Sequence, residues 1–302
     1  MLSQKTLLSL TAATLLAVAT ACGGSSGGTT PAMGTPPPGA GDVQLFAGSG
    51  DVRPGPNRFL MALLTKDGTP VSDASVKLDF RPLTGNTAGP IATTVQAQYL
   101  GKDSESAKSL YSARVTFPKP GNWEADATVT KDGKSSQAKA QFVVRQTTGV
   151  PNIGESIPAS NSPTSPPTPV EQLTSQRPVG DADFYKLSIA ESLKTGKASM
   201  IIFATPAFCQ TRTCGPQLEA LQGLKQKYAA QVNFIHIEVY QRPDLLLQGQ
   251  GQPKLAETVT QWHLESEPWV FLVDKSGKVF DRFEGYAPAW EVEPSLQKLL
   301  TT

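Results

Sequence analysis

Two residues of this chain could do covalent redox chemistry together. Cys209 and Cys214 lie in the stretch FATPAFCQTRTCGP, with four residues between them. A thiolate is the reactive form of cysteine, so such a pair needs a place where negative charge on sulfur is stabilised. A helix N-terminus is one, because its first N–H groups lack intrahelical acceptors and carry the positive end of the dipole. Pro216 suits a first helical position, and Leu218, Leu221, Leu224 and Tyr228 follow at helical spacing. A helix starting near Gly215 puts Cys214 at its mouth, Arg212 nearby as positive potential, and Cys209 in the preceding loop. Were residues 209–214 all helical, the two Cα atoms would stand about 8–9 Å apart, beyond the roughly 7 Å that a disulfide tolerates. A bridge therefore requires a loop or local unfolding. Pro206 before the pair and Gly215-Pro216 after it favour the loop. The ring so closed is small and adds little by loop entropy, which points to redox use rather than a structural clip.

There are three cysteines, and the remaining one has a separate use. Lys5 and the apolar run LLSLTAATLLAVATA, too short to span a bilayer well, end at ATAC. This resembles a bacterial lipoprotein signal, with Ala19 where such signals usually carry Leu. The resemblance implies a signal peptide over residues 1–21, lipidation of Cys22, a flexible tether over 22–41 and an extracytoplasmic, membrane-anchored place in the cell envelope. Disulfides persist in such a compartment. The net charge of +1 gives no support for a nucleic-acid partner.

The elements that must position the cysteines fall into two domains. Residues 42–145 alternate as short strands with turn signals between them, Val76, Leu78 and Phe80 sharing one face and Tyr111, Ala113, Val115 and Phe117 another. Such regular short strands predict an all-β, immunoglobulin-like sandwich. The stretch YSARVTFPKPGNWEADATV resembles small extracytoplasmic sandwich domains of the YtkA type. Residues 146–180 are rich in Pro, Ser and Thr and read as a linker without a core; a flexible chain of about 35 residues spans roughly 30–35 Å. Residues 181–302 read α-β-α-β-α-β-β-α, which predicts an α/β domain with helices on both faces of a sheet.

The element order, with FATPAFCQTRTCGP and SEPWVFLVDKSGKVFDRFEG, resembles the thioredoxin superfamily. The resemblance implies a thioredoxin fold over 181–302 and a thiol–disulfide oxidoreductase acting on protein thiols and disulfides with a further, unknown redox partner and no cofactor. It makes Pro268, after Glu267, a cis-proline whose backbone holds substrate, and it makes Cys209 the attacking and Cys214 the resolving cysteine. The helix-mouth argument instead gives Cys214 the lower pKa; we take Cys209 as the attacker. Thioredoxins carry a buried acid in the strand before the cysteines. SMIIFAT has none, which leaves Glu267 as a proton-handling candidate, and the spacing differs from CxxC.

Three alternatives stand beside this reading. The C-x4-C pair after TP resembles Q-type peroxiredoxins, but Pro206 stands where they keep Thr or Ser, Thr205 is one residue too far, and an Arg beside the thiolate would have to be Arg282. Sco-type copper chaperones pair two cysteines with a distant His, for which His236 and His263 are the candidates. Their three-residue cysteine spacing is not met, and no metal site is assigned. The third is a non-enzymatic binding lipoprotein with an inert module. Trp262 and Trp269 read as packing residues.

Overall fold

The computed structural model describes residues 42–302; the expected signal segment, the tether and Cys22 lie outside the described residues. The first domain is built from β1 (Val43–Ala47), β2 (Gly55–Thr65), β3 (Ser75–Thr84), β4 (Thr87–Ala88), β5 (Thr93–Tyr99), β6 (Leu110–Phe117), β7 (Gly121–Lys131) and β8 (Lys134–Val144). They pair in the order β1-β2-β6-β5-β3-β7-β8, with β4 on β3. β5 meets β3 along Thr93–Ala97 and β6 at Gln98 and Tyr99, so one strand passes between the two faces of a sandwich. The alternating residues of β3 and β6 are buried as their period of two requires. Phe80 meets Phe59 and Phe117 edge-on, with ring centroids 5.2 and 5.3 Å apart, the arrangement that aromatic quadrupoles favour. Asp132 and Gly133 join β7 to β8 with φ of 50° and 73°, the double positive φ of a type I′ hairpin turn.

The second domain runs α1 (Ile189–Ser192), β9 (Ala198–Ala204), α2 (Cys214–Tyr228), β10 (Val232–Glu238), α3 (Pro243–Leu247), α4 (Glu257–Gln261), β11 (Trp269–Val273), β12 (Val279–Glu284) and α5 (Ala289–Leu300). Its sheet has the order β10-β9-β11-β12, with β9 and β10 parallel and β11 antiparallel to both neighbours. Every residue of β9 is buried, as a strand covered on both faces must be. Met200, Ile202 and Leu272 pack under Leu218 and Leu221 of α2 and Leu296 of α5. Ile201, Phe203 and Phe271 pack on the other face under Val259 and Trp262.

Two helices depart from the simplest reading of the sequence. The amphipathic stretch 181–197, DADFYKLSIAESLKTGK, reads as the one helix before β9, but it forms a 3-10 turn over Ala182–Tyr185 and the four-residue α1. Ser188 is the reason. It is an N-cap with ψ of 163°, exchanging hydrogen bonds with Glu191 in a capping box, so it starts a new helix and cannot continue an old one. Pro294 in AWEVEPSLQKLL suggests a helix that starts there or is kinked; it lies inside α5, which runs from a cap at Pro288.

Residues 146–180 also differ from a chain without core contacts. Val150 and Ile157 join the apolar cluster under β9 and β11, and Leu173 joins the cluster on the opposite face. The Trp262 indole N–H donates to Ser160 Oγ at 3.2 Å. A few apolar anchors and backbone hydrogen bonds hold a segment whose average composition is polar.

The two domains share a buried, charged interface. Arg58 of β2 pairs with Glu291 of α5 at 2.7 Å, with side chains 1% and 7% exposed. Its other N–H groups donate to the carbonyl oxygens of Glu284 and Tyr286, each at 2.6 Å. Arg282 pairs with Asp51 at 2.7 Å and Arg114 with Asp281 at 2.8 Å. Leu60, Leu100 and Ala107 of the sandwich close an apolar cluster with Tyr286 beside them.

His236 of β10 is buried, its Nε2 3.0 Å from the Ala204 carbonyl and its Nδ1 2.7 Å from the Tyr185 hydroxyl. A carbonyl only accepts, so Nε2 carries the proton and the hydroxyl donates to Nδ1. Burial pushes the His236 pKa down to about 4.

Two outcomes are expected. Arg58→Ala leaves Glu291 buried without its partner and should cost about 3–5 kcal/mol in chemical denaturation. For His236, the unfolded group titrates near about 6.5 and binds a proton that the folded group refuses. Its contribution is therefore full above that value and is lost as pH falls from about 6.5 towards about 4. The urea midpoint should drop over this window in the wild type, and His236→Gln should flatten that part of the profile.

Candidate functional site

The cysteines sit where β9 hands over to α2, and two consecutive tight turns make the connection. Phe208 N–H donates to the Thr205 carbonyl at 3.1 Å, closing a turn with Pro206 in its second position, where a fixed φ is favoured. Arg212 N–H then donates to the Cys209 carbonyl at 3.1 Å, closing a second turn that ends with Arg212 at φ 59°. Thr213 is the helix cap, and Cys214 is the first helical residue. The helix thus begins one residue before the expected Gly215, and Pro216 takes its third position. The turns bring the two Cα atoms to 5.9 Å, and Cys209 and Cys214 are joined as a disulfide. The loop anticipated from spacing is present.

The two sulfurs have different surroundings. Cys214 is fully buried in the cluster beneath α2, and Cys209 lies at the edge of that cluster, partly exposed. The Cys214 backbone N–H, one of the helix's unpaired donors, points to Cys209 Sγ at 3.3 Å. Thr211 Oγ1 is 3.2 Å from the same sulfur and 2.8 Å from Thr213 Oγ1. The field of the helix mouth therefore acts on Cys209, the more accessible sulfur. Buried Gln217 fixes the helix from behind, its side chain exchanging hydrogen bonds with the backbone of Ala287 at 2.8 and 2.6 Å.

The Glu267–Pro268 peptide is cis, and Pro268 is buried. Trp269, the next residue, pairs with Phe203 of β9, so Pro268 lies level with the end of the strand from which the cysteine loop departs. Glu267 is half-buried, and burial pushes its carboxyl up. Tyr240 reaches the cysteine loop: its ring packs edge-on with Phe208, with centroids 6.0 Å apart. Burial, then the charges of Glu267 and Glu238, push its hydroxyl up.

Glu238 was not anticipated. It ends β10 opposite Ala204, and burial pushes its carboxyl up. The carboxylate accepts from Ser175 N–H at 2.7 Å and Val239 N–H at 3.1 Å, with the Thr205 hydroxyl also beside it. Ser175 Oγ in turn accepts from Ala207 N–H at 3.1 Å. A buried acid is thereby joined to the cysteine loop from the strand beside β9. Its one sequence signal is an acid between two apolar β-branched residues, Ile237 and Val239, at the end of a strand.

The remaining candidates lie elsewhere. Arg282 reaches Asp51 of the sandwich and the Trp269 ring. Both His236 nitrogens are taken. His263 is exposed at φ 52° and sits against Gly149, where a Cβ would come within 2.3 Å of its ring. Trp262 and Trp269 are buried packing residues.

Residues 185–300 match the thioredoxin-like domain family. No curated protein matches the chain. Among solved structures, the chain is similar to a thioredoxin family thiol:disulfide interchange protein from Chlorobium tepidum TLS, with 21% identity, 38% of this chain and 86% of that one covered, and a TM-score of 0.30. It is similar to StoA from Bacillus subtilis at 16% identity, covering 41% and 94%, with a TM-score of 0.29. A fibronectin type-III domain of human fibronectin type III domain containing protein 3 gives 15%, 42%, 96% and 0.22 in the same order. The family match and the fold agree: residues 185–300 are a thioredoxin-like domain, and an all-β domain precedes it.

Proposed function

We propose that this chain is a thiol–disulfide oxidoreductase acting on protein disulfides through Cys209 and Cys214, held outside the cytoplasm by lipid on Cys22. The asymmetry of the pair carries the reading: the accessible Cys209 sulfur receives the helix-mouth N–H, and Cys214 is buried behind it. In the reducing direction the Cys209 thiolate attacks one sulfur of a substrate disulfide. That bond breaks, a mixed disulfide forms, and the other substrate sulfur leaves as a thiolate that takes a proton. Cys214, deprotonated, then attacks the Cys209 sulfur, closing the internal bridge and releasing the second substrate thiol. Two electrons pass from chain to substrate, and the reverse steps oxidise a substrate dithiol. The backbone at Glu267–Pro268 is placed to hold the substrate chain, and a separate redox partner resets the pair. The signal-like N-terminus supports the anchor, and the tether would give the domains reach.

Alkylation in glutathione buffers should reveal one titratable couple, with reduction of a model disulfide. Cys209→Ser should bring exchange to background, and Cys214→Ser should accumulate a mixed disulfide. A pair that stays closed under strong reductant, with no exchange, would sink the proposal in favour of an inert binding module. Thr211→Val removes a hydroxyl from the thiolate and should raise the Cys209 pKa by about one unit, read from the pH dependence of iodoacetamide labelling. Cys22→Ser should abolish fatty-acid labelling and release the chain from the membrane fraction.

A further inference from the structure

A cavity of about 370 Å³ opens between the end of β10, α4 and residues 161–173. That is the lower end of the range for ligand pockets. It lies at the dithiol end of the sheet: Glu238, in its lining, pairs with Ala204, and Tyr240, also in its lining, packs on the ring of Phe208 beside Cys209. We infer that this cavity receives a lysine or arginine side chain of the protein substrate, close in sequence to the disulfide being exchanged. The inference rests on the oxidoreductase reading and names a preference within it.

The lining is a set of acceptors without a matching cation. The Glu238 carboxylate is met by the backbone N–H groups of Ser175 and Val239, and it has no ion pair among the described residues. Glu257 is exposed at the rim, likewise without an ion pair among the described residues. Thr258 is 4% exposed and lines the cavity, and its hydroxyl makes no hydrogen bond among the described residues. Two basic residues line it: Arg242, which Asp244 holds at 2.9 and 2.8 Å, and His236, whose ring nitrogens meet the Ala204 carbonyl and the Tyr185 hydroxyl and which burial keeps neutral. A buried carboxylate without a counter-charge is unfavourable, and an entering cation relieves that cost. Leu173 and Ala256 give the walls an apolar stretch, which suits the methylene stem of a side chain that carries its charge at the tip. An acidic side chain or an anion would meet Glu238 and Glu257 as like charges.

The test uses two short peptides, each closed by one disulfide and identical except for lysine or norleucine beside one cysteine. With the full chain, kcat/KM should favour the lysine peptide by about tenfold, the scale of one charge-assisted hydrogen bond. Glu238→Gln or Glu257→Gln should bring the ratio towards one; Glu257 is exposed, so that variant keeps the comparison valid if the buried one misfolds. Equal rates in the wild type, or a ratio unmoved by both substitutions, would overturn the inference. If neither peptide is exchanged, the oxidoreductase reading fails by itself. The same sequences with serine for cysteine, titrated into the oxidised chain and followed by NMR, then decide the pocket. Saturable shifts with the lysine peptide alone support it, and none, or equal shifts with both, refute it.

Discussion

The chemistry at the dithiol depends on where helix α2 begins. One turn earlier, residues 209–214 would be helical and the cysteines would stand about 8–9 Å apart. The turn closed by Arg212 delays the helix to Cys214, and the sulfurs come within bonding reach. Leu218, Leu221 and Leu224 set the rotation of the helix, and Gln217 locks it to Ala287. That rotation buries Cys214 and turns its N–H towards Cys209. Core packing thus decides which sulfur is hidden and which one receives the free donor.

A second constraint comes from the sandwich. Burying guanidinium and carboxylate groups is costly unless each is met, and the interface meets them: Arg58 with Glu291, Arg282 with Asp51, and buried Asp281 with the half-exposed Arg114. The Glu284 carboxylate accepts from the N–H groups of Gly50 and Asp51 at 2.9 and 3.0 Å. Glu284 also pairs with Trp269, and Gly285 N–H donates to the Pro268 carbonyl at 2.8 Å. The sandwich therefore grips β12, the strand whose end supports the cis-proline.

The period of two in β3 and β6, the apolar run of β9 and the loop between the cysteines were all legible in the sequence. Each is a local pattern with one physical solution. The cis peptide at Glu267–Pro268 was also anticipated, through family resemblance rather than through composition. What escaped was set by tertiary contact. Glu238 reads as any strand acid until its neighbour Ser175 is seen to bond Ala207. The Arg58 interface joins residues more than two hundred positions apart, and nothing local marks it. Val150 and Ile157 are single apolar residues in a polar stretch, too sparse to show a period.

Those two residues have a wider consequence. The recognisable family module begins at residue 185, yet Val150, Ile157 and Ser160 fill or satisfy its core from outside that boundary. A fragment cut at the family limit would expose apolar surface beneath β9 and strand the Trp262 indole. The heritable unit is thus larger than the unit of resemblance. In gene fusion or domain shuffling, the stretch that looks like a dispensable spacer would have to travel with the domain it follows into.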